Sequence, residues 1–178
     1  MTIDIFSSSH SQLSQLFMNQ GVANHDVFFG TGSDTPAHLT DVNLQLYENL
    51  TTVAGNQGVQ VLVFPEFGLE PVQDATRTDL YSYAETVPLV TDSQITPCDD
   101  ADVYADRPLL YRMSCAAKKN SLLLLVNMID LQPCEVTTDS NCPEDGRYLV
   151  SYLRFIFASP FQNSYSTVVC GLWALWVT

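Results

Sequence analysis

The segment Val63-Phe64-Pro65-Glu66-Phe67-Gly68 sets a carboxylate against the end of an apolar run, a juxtaposition that can do chemistry. Residues 59–64, VQVLVF, have the length and β-branching of a strand buried on both faces. Pro65 ends that run, because proline has no N–H to offer a ladder. Glu66 then falls just past a strand's C-terminal end, where open α/β sheets form their ligand crevices. Flanked there by Phe64 and Phe67, it could accept and return protons as a general base. The competing reading of the same residues is an ordinary solvated glutamate.

Other constellations carry less. Gly30-Thr31-Gly32-Ser33-Asp34-Thr35 lacks the third glycine of a dinucleotide loop and the Gly-Lys-Ser/Thr of a phosphate loop, so it reads as a turn. His10, His25 and His38 have no ligand spacing and read as surface residues. CDDADVYAD, residues 98–106, lacks the glycine and terminal glutamate of a calcium loop. No Gly-X-Ser-X-Gly is present to build a serine nucleophile elbow. The five cysteines (Cys98, Cys115, Cys134, Cys142 and Cys170) include no Cys-X-X-Cys, which argues against structural zinc. Four of them lie between residues 98 and 142 among prolines and acidic loops, a placement that suits disulfides of an oxidising compartment or else buried thiols. Asn49-Leu50-Thr51 is a glycosylation triplet.

Two helix–strand pairs must position Glu66. Val42, Leu46, Leu50, Val53 and Ala54 recur on one helical face, predicting a helix over 41–56 capped by Thr40 or Asp41 and leading into a strand at 59–64. A second helix over 107–119, capped by Asp106 with Pro108 in its first turn, leads into a strand at 122–127. Lys118 and Lys119 suit that helix's C-terminal dipole. Val27-Phe28-Phe29 reads as a short strand, and 148–157 alternates as a third. This order of elements predicts an α/β layered fold. Residues 1–40 are poorly patterned, 41–148 form the patterned domain, and 149–178 diverge into an apolar tail carrying both tryptophans.

With 46% apolar residues, the 178-residue chain can bury a sizeable core. Its net charge of −13 disfavours nucleic acid as a partner. The first twenty residues contain no Lys or Arg and do not read as a signal peptide, in tension with the cysteines. No stretch approaches the roughly 18–20 apolar residues of a membrane span.

Four landmarks in order are similar to the biotinidase/vanin branch of the carbon–nitrogen hydrolase (nitrilase) superfamily. They are NLQLYENLTTVAGNQGVQVLVFPEFGL, then Pro97-Cys98, then RMSCAAKKNSLLLLVNM, and finally PCEVTTDSNCPEDGRY with its cysteine-flanked acidic loop. They cover about 106 of 178 residues, Asn43 to Tyr148. The resemblance implies part of a nitrilase-like αββα sandwich and a Glu–Lys–Cys triad. The cysteine attacks an amide carbon, the glutamate moves protons, the lysine stabilises the oxyanion, and water hydrolyses the thioester. Glu66 matches the family's glutamate.

The lysine belongs in an Arg-Tyr-X-Lys context, but after Tyr148 the sequence has Arg154 and no lysine. Cys170-Gly171 is the only tail candidate for a nucleophile, and its surroundings do not resemble the family motif. Lys118 and Lys119 read as structural or solvated. The expectation is therefore a biotinidase/vanin-like amidohydrolase with an incomplete catalytic set, or alternatively a non-catalytic truncated or splice-variant member. The resemblance further implies a biocytin- or pantetheine-like amide as partner, no cofactor or metal, and an extracellular or membrane-anchored location. Within the resembling region, Cys134–Cys142 and Cys98–Cys115 are the expected disulfides.

Overall fold

A computed structural model describes residues 2–6, 19–71, 75–88, 96–156 and 171–176, with side chains described for 19–71, 75–88 and 96–150. Six strands form one mixed sheet in the order β1-β2-β3-β4-β5-β6. They are β1 Thr2–Phe6, β2 Gln20–Asn24, β3 Val61–Val63, β4 Leu123–Pro133, β5 Arg147–Ile156 and β6 Gly171–Trp176. The three central strands, β2, β3 and β4, run parallel, while β1, β5 and β6 pair antiparallel on the flanks. Helix α1, Pro36–Asn56, links β2 to β3, and α3, Pro108–Asn120, links the second parallel step. A short α2, Arg77–Leu80, and a 3-10 turn, Pro97–Asp99, lie in the connection between β3 and α3. The fold is mixed α/β, as the element order predicts. No helix among the described residues is long and apolar enough to cross a membrane.

Helix α1 starts five residues before the predicted boundary. Thr35 adopts an extended conformation, its hydroxyl accepts from the His38 amide at 3.2 Å, and Pro36 occupies the first turn. A capping hydroxyl followed by proline is a stronger start than Thr40 or Asp41. The helix buries Leu44, Tyr47, Leu50 and Ala54 in a core shared with Leu110, Met113 and Ala117 of α3 and with Leu62 and Leu124 of the sheet. Helix α3 ends at Ser121, which takes the left-handed conformation at φ +52°.

The strand expected at Val27-Phe28-Phe29 is not there. Asn43 of α1 bonds both backbone groups of Phe28, accepting from its N–H at 2.8 Å and donating to its carbonyl at 3.1 Å. A side-chain amide thus replaces a ladder partner. Burial on both faces of β3 is also corrected: Leu62 is fully buried, whereas Val61 and Val63 are half-buried. The edge strand β1 and its neighbour β2 come from the segment read as poorly patterned, and β5 begins at the Asp145-Gly146 turn and runs past residue 148.

Both expected disulfides form. Cys134–Cys142, with Cα atoms 5.8 Å apart, closes the acidic loop at the end of β4, and Cys98–Cys115, at 4.8 Å, ties the 3-10 turn to α3. Of the three histidines, His10 lies outside the described residues. His38 is exposed near Asp34, but His25 is not a surface residue: it is half-buried, edge-on to Tyr47.

Candidate functional site

Phe64 leaves β3 still bonded to β4, its N–H donating to the Leu125 carbonyl at 2.9 Å. Its ring stacks on Tyr47 at 3.8 Å with 12° between planes, so the aromatic residue before the turn is held in the core. The chain then reverses through Phe67, at φ +52°. An L-residue there needs external support. Asn127 of β4, itself buried, supplies it by accepting the Phe67 N–H at 2.9 Å. Gly68 packs beneath, where a Cβ would overlap the Tyr47 hydroxyl and press on His25.

This frame presents Glu66 to solvent at the C-terminal end of β3. The apolar enclosure expected of Phe64 and Phe67 is absent: Phe64 is 2% exposed in the core and Phe67 is only half-buried. Lys118 and Lys119 close α3, which leads into the start of β4, so they stand at the opposite end of the parallel strands from Glu66. Lys118 pairs with Asp99. Cys98, Cys115, Cys134 and Cys142 are all in disulfides and cannot act as thiolates. Cys170 lies outside the described residues, and of Arg154 the backbone alone is described, in β5.

Three buried carboxyls escaped the sequence reading. Glu85 forms a parallel bridge with Asp130 of β4 and turns its side chain to the start of α3, accepting from Leu109 N–H at 2.6 Å and Leu110 N–H at 3.0 Å. It does the capping expected of Asp106; Arg107 occupies the cap position and makes no side-chain cap bond. Burial pushes the Glu85 carboxyl up to about 7, against the pull of those two amides. Asp130 accepts from Val87 N–H at 3.0 Å and from the Gln132 amide at 2.9 Å. Glu70 is fully buried, and burial pushes it up to about 8. No local pattern separates Glu70 and Glu85 from the solvated acidic residues between β3 and α3, and none marks Asp130 within β4.

A cleft of about 350 Å³ opens between α1, residues 82–85 and the start of α3, lined by Asp41, Leu44, Tyr83, Glu85, Leu109 and Arg112 among others. Glu66 is not part of its lining. Arg112 is already committed there, forking onto Glu48 at 2.8 and 2.6 Å and reaching Asp41 at 2.5 Å. Among the described residues no group of three or more His, Cys, Asp or Glu could hold a metal ion. The glycosylation triplet sits inside α1, with Asn49 exposed and Thr51 buried, its hydroxyl donating to the Tyr47 carbonyl at 2.7 Å.

Taken together, the helix–strand pairs and the strand-end glutamate define an α/β protein with one carboxylate displayed at the sheet's C-terminal crest. No family model matches the chain. Curated relatives do. The chain is 34% identical over 144 residues to a pantetheinase of Mus musculus, covering 80% of this chain and 27% of that protein. It is 40% identical over 107 residues to a biotinidase of Takifugu rubripes, 60% and 21% of the two chains. A biotinidase of Bos taurus matches at 32% over 136 residues, 76% and 26%. The chain belongs to the biotinidase/vanin (pantetheinase) branch. It spans about a quarter of the length of these relatives.

Proposed function

We propose that this chain carries the proton-transferring glutamate of a biotinidase/vanin-type amidohydrolase, acting on a small linear amide of the biocytin or pantetheine kind. The observation that carries the reading is the support of Glu66. It stands exposed at the C-terminal end of a central parallel strand, on a turn pinned by Asn127 from the neighbouring strand. A catalytic carboxylate needs that fixity and access together. The nitrilase-like αββα sandwich is part of the same proposal: the half-buried Val61 and Val63 lie on the face that a second sheet would cover.

The described residues offer Glu66 no free thiol, and the lysines of α3 are at the wrong end of the sheet. Cys170, in surroundings unlike the family's nucleophile motif, and Arg154 are the tail's candidates for nucleophile and cation, so the 178-residue chain is expected not to turn over biocytin or pantetheine above background. Turnover lost in both Glu66→Gln and Cys170→Ala would overturn this expectation. A carboxylate without a nucleophile forms no acyl-enzyme, and loss of one oxyanion donor costs roughly 10²–10³ in rate. An extracellular or membrane-anchored location is likewise proposed, supported by the two disulfides.

A chimera tests the role of Glu66. Residues 43–148 would replace the corresponding segment of the Mus musculus pantetheinase, and pantetheine hydrolysis would be measured with and without Glu66→Gln. The chimera should be active and the variant reduced by about three orders of magnitude or more. Equal rates from both would remove Glu66 from the mechanism.

A further inference from the structure

Asn49-Leu50-Thr51 is the one Asn-X-Ser/Thr triplet in the chain, and the amide chemistry proposed above makes no use of it. Such a triplet can carry sugar where its asparagine stands clear of the fold. Helix α1 divides the three residues sharply. Leu50 is 2% exposed and packs in the core, and Thr51 is buried with its hydroxyl donating to the Tyr47 carbonyl at 2.7 Å. Asn49 alone of the three is exposed. Glu48, just before it, turns instead to Arg112 of α3 at 2.6 Å. Gln45, Asn49 and Val53, each one helical turn from the next, are all exposed and make up a solvent face. Helical side chains lean toward the N-terminus, so Val53, 46% exposed, leans toward Asn49 and offers an apolar surface for a sugar ring.

The position along the helix matters as much as the face. Helix α1 carries the chain from the end of β2 back to the start of β3, so it runs against these parallel strands. Its first turns, with Asp41 and Leu44, border the cleft. Asn49 falls in the half that leads toward the start of β3, whereas Glu66 follows the end of that strand. A sugar rooted at Asn49 therefore begins away from the crest that displays Glu66.

We propose that Asn49 is an N-glycosylation site, taking an oligosaccharide from a lipid diphosphate donor before α1 has folded. Transfer joins the Asn49 side-chain nitrogen to the anomeric carbon of the first sugar and breaks that carbon's bond to the diphosphate. The nitrogen gives up one proton, and the lipid diphosphate leaves. The Thr51 hydroxyl can be read only before the helix ties it to Tyr47, while Asn49 stays exposed afterwards. The site rests on the extracellular location proposed above and is independent of the role of Glu66.

The full chain, with a cleavable leader placed ahead of Met1, would be translated in the presence of microsomes. Protection from added protease, with formation of Cys98–Cys115 and Cys134–Cys142, marks the chain that has entered. That chain should carry one glycan, which peptide N-glycosidase removes to leave an aspartate at position 49. Asn49→Gln should abolish it. An entered chain without a glycan, or one whose glycan survives Asn49→Gln, overturns the site. Because the added leader secures entry, that failure belongs to Asn49 and not to the location. Reduced and alkylated chain should also accept sugar from solubilised transferase and lipid donor, whereas folded chain should not; equal transfer to both overturns the order of events.

Discussion

Glu85 shows how much one side chain can do from a distance. Twenty-four residues before Leu109, it satisfies two of the amides that a helix start leaves open. Glu85→Ala should therefore destabilise the chain by about 1–3 kcal/mol, with Glu85→Gln, which keeps one acceptor, losing less. Denaturant midpoints of the two variants check the order. Gly68 makes a second residue-scale prediction. Gly68→Ala would drive a methyl into the Tyr47 hydroxyl and His25, so a loss of about 1–3 kcal/mol is expected, and Tyr47→Phe should relieve part of it.

Among the elements, the loop of residues 134–142 depends on its disulfide. Replacing Cys134 and Cys142 by serine should cost roughly 2–3 kcal/mol, read as a lower thermal midpoint, because the bridge mainly restricts the unfolded chain. Both central helix–strand pairs were legible because their apolar residues repeat at the helical period and their strands are short β-branched or leucine-rich runs. The start of α1 was missed because its apolar face was read only from Val42 onward, which drew the boundary to Thr40-Asp41 and past the stronger Thr35-Pro36 cap. The Phe28 segment was misread because its apolar run looks like a strand, while the residue that claims its backbone is Asn43, on another element. Glu66 could be singled out from Pro65 and the preceding strand. Asn127, which fixes its turn, lies 60 residues away and announces nothing locally.

At the scale of the whole molecule, stability should carry the mark of its buried acids. Glu70 rises from 4.5 in the free side chain to about 8 when folded, so the folded state holds its proton more tightly. Its contribution is complete below about 4.5 and is lost as pH climbs towards 8. Glu85, pushed up to about 7, acts in the same direction. Glu70→Gln should leave stability nearly unchanged at low pH and raise it progressively above about pH 5, each tenfold in proton affinity being worth about 1.4 kcal/mol. Thermal midpoints of both proteins across that range would test it; parallel curves would rule the linkage out.

The capping of α3 by Glu85 also bears on the order in which the chain comes together. Helix ends ordinarily fray, and their first amides exchange with solvent long before the helix itself opens. The amides of Leu109 and Leu110 are instead held by a residue that bridges to β4, so they can be released only when that bridge lets go. In hydrogen exchange they should open together with the Glu85–Asp130 bridge, as one cooperative unit. Helix α3 would then have no settled beginning until the strand that follows it has been laid into the sheet.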